Sequence, residues 1–145
     1  MDGMAARSGR AAVITAIDTS VLAAIYKGEA GGEAWLDSVG ELGAAGQLVA
    51  CEVVIAEFTA FFPDPEDVSA FLNDLEIRYL ALAPQSAIMA GKLFRTYRRE
   101  GGPRQHMIPD FLIGAHACVQ ADQMAATDRG FLRRYFPRLK LVSPI

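Results

Sequence analysis

The sequence predicts an α/β domain of three layers (α/β/α), with helices covering both faces of a short parallel sheet. Three observations predict it. Short β-branched or apolar runs alternate with longer stretches of helical periodicity, as repeated strand–helix–strand units require. The candidate strands are nearly free of charge, which suits strands covered on both faces. The chain of 145 residues, 52% apolar and 21% charged, is also long enough to bury one core without metal or disulfide staples.

Each element has its own local reason. Residues 12–17 (AVITAI) form an uncharged first strand. Residues 19–27 follow as a short helix that stops at Gly28, and residues 31–44 form a second, with Trp35, Leu36, Val39 and Leu42 at three- to four-residue spacing. A brief strand at 47–50 leads to a helix over 52–62, stopped by Pro63. Asp64 is a good N-cap, and Pro65 suits the first position of a helix over 65–75. Residues 77–83 read as a third strand. Residues 85–100 read as an amphipathic helix with Ile88, Leu93 and Tyr97 inward and Arg95, Arg98 and Arg99 outward. A Gly/Pro-rich loop at 101–109 precedes a helix over 110–121. A strand at 123–127, a helix at 129–135 and a strand at 139–142 complete the pattern.

Residues 11–145 are expected to make a single domain. Residues 1–10 are expected to be a flexible extension, lacking the apolar segment of a signal peptide. No apolar run reaches the roughly 20 residues a spanning helix needs, so no membrane role is expected. Cys51 and Cys118 sit inside apolar runs and read as small core hydrophobes, which fits a reducing cytoplasm. Two thiols and two histidines without close spacing argue against structural zinc.

The net charge of −3 conceals an asymmetry. Residues 1–77 hold 3 basic and 13 acidic side chains, residues 78–145 hold 11 and 4, so the halves carry −10 and +7. A basic half can present a surface to a polyanion, or its arginines can simply solvate helix faces.

Four acids carry the chemistry. Asp18 directly follows the first strand, on the rim where α/β sheets bind ligands, though an Asp there also caps the next helix. Ser20 can orient Asp18 or bond backbone. Glu57 lies in an apolar helix: Val53, Ala56 and Ala60 share one face, and Glu57 stands a turn from Val53. An acid on an inner face needs a partner. Glu52, at that helix's start, is explained by the helix dipole. Asp110 opens an almost wholly apolar helix, where a cap would also choose Asp. Asp128 follows the fourth strand as Asp18 follows the first, so adjacent strands would turn both toward one crevice. Carboxylates crowded in this way cannot comfortably all stay ionised. A hard divalent cation, Mg²⁺ or Mn²⁺, removes the conflict, and such an ion can activate water against a phosphodiester.

Segments 16–22 (AIDTSVL), 54–58 (VIAEF), 108–117 (IPDFLIGAHA) and 127–131 (TDRGF) together resemble the four acidic motifs of PIN domains, in the order seen in VapC-type toxins of bacterial toxin–antitoxin pairs. The resemblance runs from about Val13 to Pro144. It implies a Mg²⁺- or Mn²⁺-dependent endoribonuclease with Asp18, Glu57, Asp110 and Asp128 as metal-binding and catalytic acids. It further implies an RNA substrate, a homodimer, and inhibition by a VapB-type antitoxin whose tail fills the site. One departure is Ala126, which stands where many relatives carry Thr or Ser; Thr127 is its neighbour.

Arg95, Arg98, Arg99 and Arg104 flank Asp110 in sequence, and Arg129, Arg133 and Arg134 follow Asp128. They are candidate RNA-phosphate ligands, candidate contacts for an acidic partner, or solvated faces. His106, in the loop before Asp110, could approach a phosphate, although loops usually just expose such residues. His116 is expected to be a hydrogen-bonded core residue. Trp35, Phe61, Phe62, Phe71 and Tyr79 read as core or dimer contacts. Two other classes compete with the nuclease: a PIN-like binding partner without turnover, and a receiver-type phospho-accepting module. The latter would want a second acid beside Asp18 and a late-strand lysine, for which only Lys140 is available.

Overall fold

The computed structural model describes residues 12–28, 30–103 and 106–144. Residues 1–10, expected to form an extension, and Arg104 lie outside them. Among the described residues the elements are β1 (Val13–Ile17), α1 (Thr19–Lys27), α2 (Gly32–Ala45), β2 (Gly46–Ala50), α3 (Glu52–Phe61), a 3₁₀ turn (Pro65–Asp67) and α4 (Val68–Asp74). They continue with β3 (Ile77–Tyr79), α5 (Pro84–Arg99), α6 (Ile108–Gln120), β4 (Gln123–Ala125), α7 (Phe131–Tyr135) and β5 (Leu141–Val142).

The five strands are all parallel, in the order β3-β2-β1-β4-β5. From β1 the chain steps outward through β2 to β3, then crosses back to β4 on the other side of β1. Right-handed crossovers therefore place α1 to α4 on one face and α5 to α7 on the other. Each face has its own aromatic cluster: Tyr26, Phe58, Phe62 and Phe71 on the first, Phe94, Tyr97, Phe111 and Tyr135 on the second. Between them lies a core of strand residues including Ile17, Leu48, Val49 and Met124. The buried polar pair inside it is satisfied, since Gln123 Nε2 donates to Thr15 Oγ1 at 2.9 Å across the β1–β4 register.

The local signals work as expected in several places. Gly28 takes φ 63° and closes α1 with its N–H on the carbonyls of Ala24 and Ile25, a left-handed cap that glycine adopts without a Cβ clash. Asp64 accepts from Glu66 N at the start of the 3₁₀ turn. Cys51 and Cys118 are free thiols, the first buried. His116 is buried, with Nε2 2.8 Å from the carbonyl of Leu80. No helix among the described residues is long and apolar enough to cross a membrane.

Other expectations need correction. Strand β3 spans three residues rather than seven: Leu80 N still donates to Ala50 O, but beyond it Leu82 N and Ala83 N are taken by the side chains of Glu52 and Gln120. Ile88 is 58% exposed, because α5 turns Ser86, Ala90 and Tyr97 inward instead. The buried pair of α3 is Val54 and Phe58, one turn apart, while Ala56 and Ala60 face out. Helix α6 begins at Ile108, so Asp110 sits inside its first turn.

Candidate active site

The chain reverses direction across the sheet at β1, and a crevice opens where the carboxyl ends of β1 and β4 lie side by side. Asp18 emerges there, its backbone N–H donating to Ala125 O at 3.0 Å. Its carboxylate is bound at once: Ser20 N and Ser20 Oγ donate to Oδ2 at 3.1 and 2.6 Å. Asp18 is thus the N-cap of α1, as one reading of the sequence required. Ser20 Oγ also accepts the N–H of Thr127 at 3.2 Å. The hydroxyl therefore links the ends of β1 and β4, while Thr127 contributes backbone.

Glu57 comes from α3, on the shoulder of its buried face. Oε1 accepts from Thr19 Oγ1 at 2.7 Å, which brings the glutamate beside Asp18. Thr19 was not singled out by the sequence; its position one residue after the first acid was the available signal. Asp110 reaches back along α6 to accept the N–H of Met107 at 3.0 Å. It serves as an N-terminal cap and also lines the crevice with Asp18.

These three acids feel one another. Burial, chiefly, pushes the Asp18 carboxyl above its ordinary value, with Asp110 repulsion adding and the hydrogen bonds from Ser20 and Thr19 opposing. Burial likewise raises Glu57, against the Thr19 hydrogen bond, and repulsion from Asp18 and Asp110 raises it further.

Asp128 differs. It lines the same crevice, about 360 Å³ in volume and bounded also by Ser20, His106, Thr127 and Arg129. Its carboxylate, however, is occupied by α7: Oδ1 accepts Leu132 N at 2.8 Å, and Oδ2 accepts Arg133 N at 3.2 Å and Arg133 Nε at 3.5 Å. Gly130, at φ 115°, makes the turn that lets residue 128 cap the helix. Burial acts to raise this carboxyl, but the N–H groups of Leu132, Arg133 and Gly130 and the Arg133 guanidinium outweigh it and hold it below its ordinary value. The crevice thus gathers Asp18, Asp110 and Asp128, the last tied to α7, while Glu57 is not among its lining residues and is joined to it through Thr19.

Of the candidate arginines, Arg129 lines the crevice. Arg95, Arg98 and Arg99 are exposed on α5, with the Arg98 guanidinium over the Phe94 ring at 5.7 Å. Ala126 is buried beside the site and offers no hydroxyl.

The donor chemistry suits a hard cation, since neighbouring carboxylates whose like charges repel are relieved by one. As the side chains stand, no three His, Cys, Asp or Glu residues among those described are close enough to enclose an ion.

An all-parallel sheet with acids converging on its switch point defines an α/β domain with an acidic crevice at the strand ends. The PIN domain family model matches residues 15–137, and the chain belongs to that family. Solved structures share the fold. A chain of VapBC2 from Rickettsia felis, solved with a DNA fragment from its promoter, aligns at TM-score 0.69 and 16% identity, covering 92% of this chain and 100% of that one. A chain of VapBC-1 from nontypeable Haemophilus influenzae gives 0.67 at 18%, covering 90% and 98%. A toxin–antitoxin complex from Klebsiella pneumoniae gives 0.62 at 15%, again covering 90% and 98%. No curated protein matches the chain.

Proposed function

We propose that this PIN-domain protein is a Mg²⁺- or Mn²⁺-dependent endoribonuclease, the toxin of a VapBC-type pair. The observation that carries the reading is that Asp18, Asp110 and Asp128, from three separate elements, line one crevice at the strand ends, with Glu57 joined to it through Thr19, so that their like charges repel. A fold has little reason to accept that repulsion unless a cation is to be bound.

In this reading Asp18, Glu57, Asp110 and Asp128 would hold the metal. When bound, a hard divalent cation lowers the pKa of water and steadies a phosphate oxygen. The protein's own groups do the positioning. Ser20 fixes the Asp18 carboxylate, Thr19 fixes Glu57, and the N-terminus of α6 fixes Asp110. Arg129 at the mouth supplies positive charge for an RNA backbone; Arg95, Arg98 and Arg99 would serve only a strand that extends over α5. The likeness to VapBC complexes supports an antitoxin of the VapB type; a homodimer is proposed on the family resemblance alone.

Cleavage of a labelled RNA with Mg²⁺ or Mn²⁺, abolished by Asp18→Asn, is the expected result. Equal cleavage by the variant would end the proposal. A second reading, a PIN-like binding partner without turnover, is favoured by the commitment of Asp128 to α7. It predicts no cleavage at any metal concentration.

A further inference from the structure

The crevice contains two polar side chains that the proposed chemistry leaves idle, Thr127, which is exposed, and His106. Its wall is dominated by carboxylates, so an entering phosphodiester needs hydrogen-bond donors to offset their charge. The hydroxyl of Ser20 is already given to Asp18. Among the lining residues, the nitrogen-bearing side chains are Arg129, which is exposed, and His106.

His106 is held in place. Its ring stacks on Phe131, centroids 4.2 Å apart and planes 27° from parallel, and meets Tyr97 edge-on at 6.0 Å. Tyr97 is itself buried and donates its hydroxyl to the carbonyl of Pro103. The side chain remains 28% exposed, and Nδ1 stands 3.7 Å from Asp110 Oδ2. That separation is too long for a hydrogen bond. An imidazole fixed beside the acid group, without giving its N–H to it, has lost in advance the rotamer freedom that binding would otherwise remove.

We infer that His106 is a substrate-binding residue: its imidazole donates to a phosphate oxygen of the RNA strand lying across Asp18 and Asp110. The inference rests on the ribonuclease reading. Packing alone would be served by any flat aromatic ring on Phe131, whereas the binding role requires a nitrogen donor. Stacking and donation can therefore be separated by substitution.

The test compares wild type, His106→Phe and His106→Gln. Fluorescence anisotropy of an RNA oligonucleotide is measured with Ca²⁺ in place of Mg²⁺, beside cleavage kinetics, thermal melting and Mn²⁺ titration. His106→Phe should bind RNA about tenfold more weakly, the loss of one hydrogen bond to a charged group. Its KM should rise more than its kcat falls, with melting temperature and Mn²⁺ affinity unchanged. His106→Gln, which restores an N–H, should recover part of the affinity. Unchanged RNA affinity in His106→Phe, while wild type binds and cleaves, overturns this inference and leaves the nuclease reading standing. Weakened Mn²⁺ binding would make His106 a metal ligand and also overturn it. A wild type that neither binds nor cleaves RNA overturns both.

Discussion

Thr19 donates its hydroxyl to Glu57 across 2.7 Å, joining the first turn of α1 to the middle of α3. The bond favours the ionised form of an acid whose carboxyl is raised by burial and by two neighbouring carboxylates. Thr19→Val keeps the shape and removes the donor. The variant should lose about 1 kcal/mol of stability and bind Mn²⁺ several-fold more weakly, read by urea denaturation and by metal titration. Unaltered metal affinity would mean that Glu57 is not a ligand.

Ser20→Ala cuts the link between Asp18 and Thr127 in one step. Loss of a group that orients a metal ligand typically costs 10- to 100-fold in affinity or activity, so RNA cleavage should fall by about that factor. The fold should survive with roughly 1 kcal/mol lost. Cleavage rates and a urea melt on the same preparation separate the two effects.

Asp18→Asn should do opposite things to activity and stability. Because the Asp18 carboxyl is raised, its ionised form penalises the metal-free fold at neutral pH; the penalty disappears as pH falls below the ordinary carboxylate range. The amide removes that charge and can still accept from Ser20. The metal-free variant should melt higher than wild type at pH 7, while added Mg²⁺ stabilises only the wild type. A lower melting temperature for the metal-free variant would contradict the assignment of burial as the cause.

Much of this arrangement was legible in the residues. The uncharged run before Asp18 and the short run before Asp128 marked two strand ends, and their adjacency put both acids on one rim. Glu57 stood out as an acid amid apolar helix residues, although its inner face was misassigned: Val54 and Phe58, not Ala56 and Ala60, point inward. Periodicity gives the repeat of an apolar stripe but not its phase when nearly every residue is apolar. The partners Thr19 and Arg133 were not legible, because both are common surface types whose meaning comes from a fold-dependent neighbour. The shortness of β3 was hidden for a related reason: the side chains of Glu52 and Gln120 take over the backbone beyond it.

His116 gives a pH test away from the acids. Burial lowers its pKa below the ordinary value of about 6.5, against the Leu80 hydrogen bond and the charge of Glu52. The folded protein keeps the ring neutral while the unfolded chain takes up a proton. Stability is therefore fully present above about pH 6.5 and lost as pH falls through that value toward the lower folded pKa. The urea midpoint should drop between pH 7.5 and 5.5, and His116→Gln should flatten the drop. Equal slopes in the two proteins would count against the shift.

The pairing of β4 with β1 joins Thr15 to Gln123, partners from opposite ends of the described chain. During synthesis, Asp18 and Glu57 leave the ribosome before the strand that closes the crevice and the acid beyond it. The four proposed site acids therefore come together only once the chain has been made through residue 128.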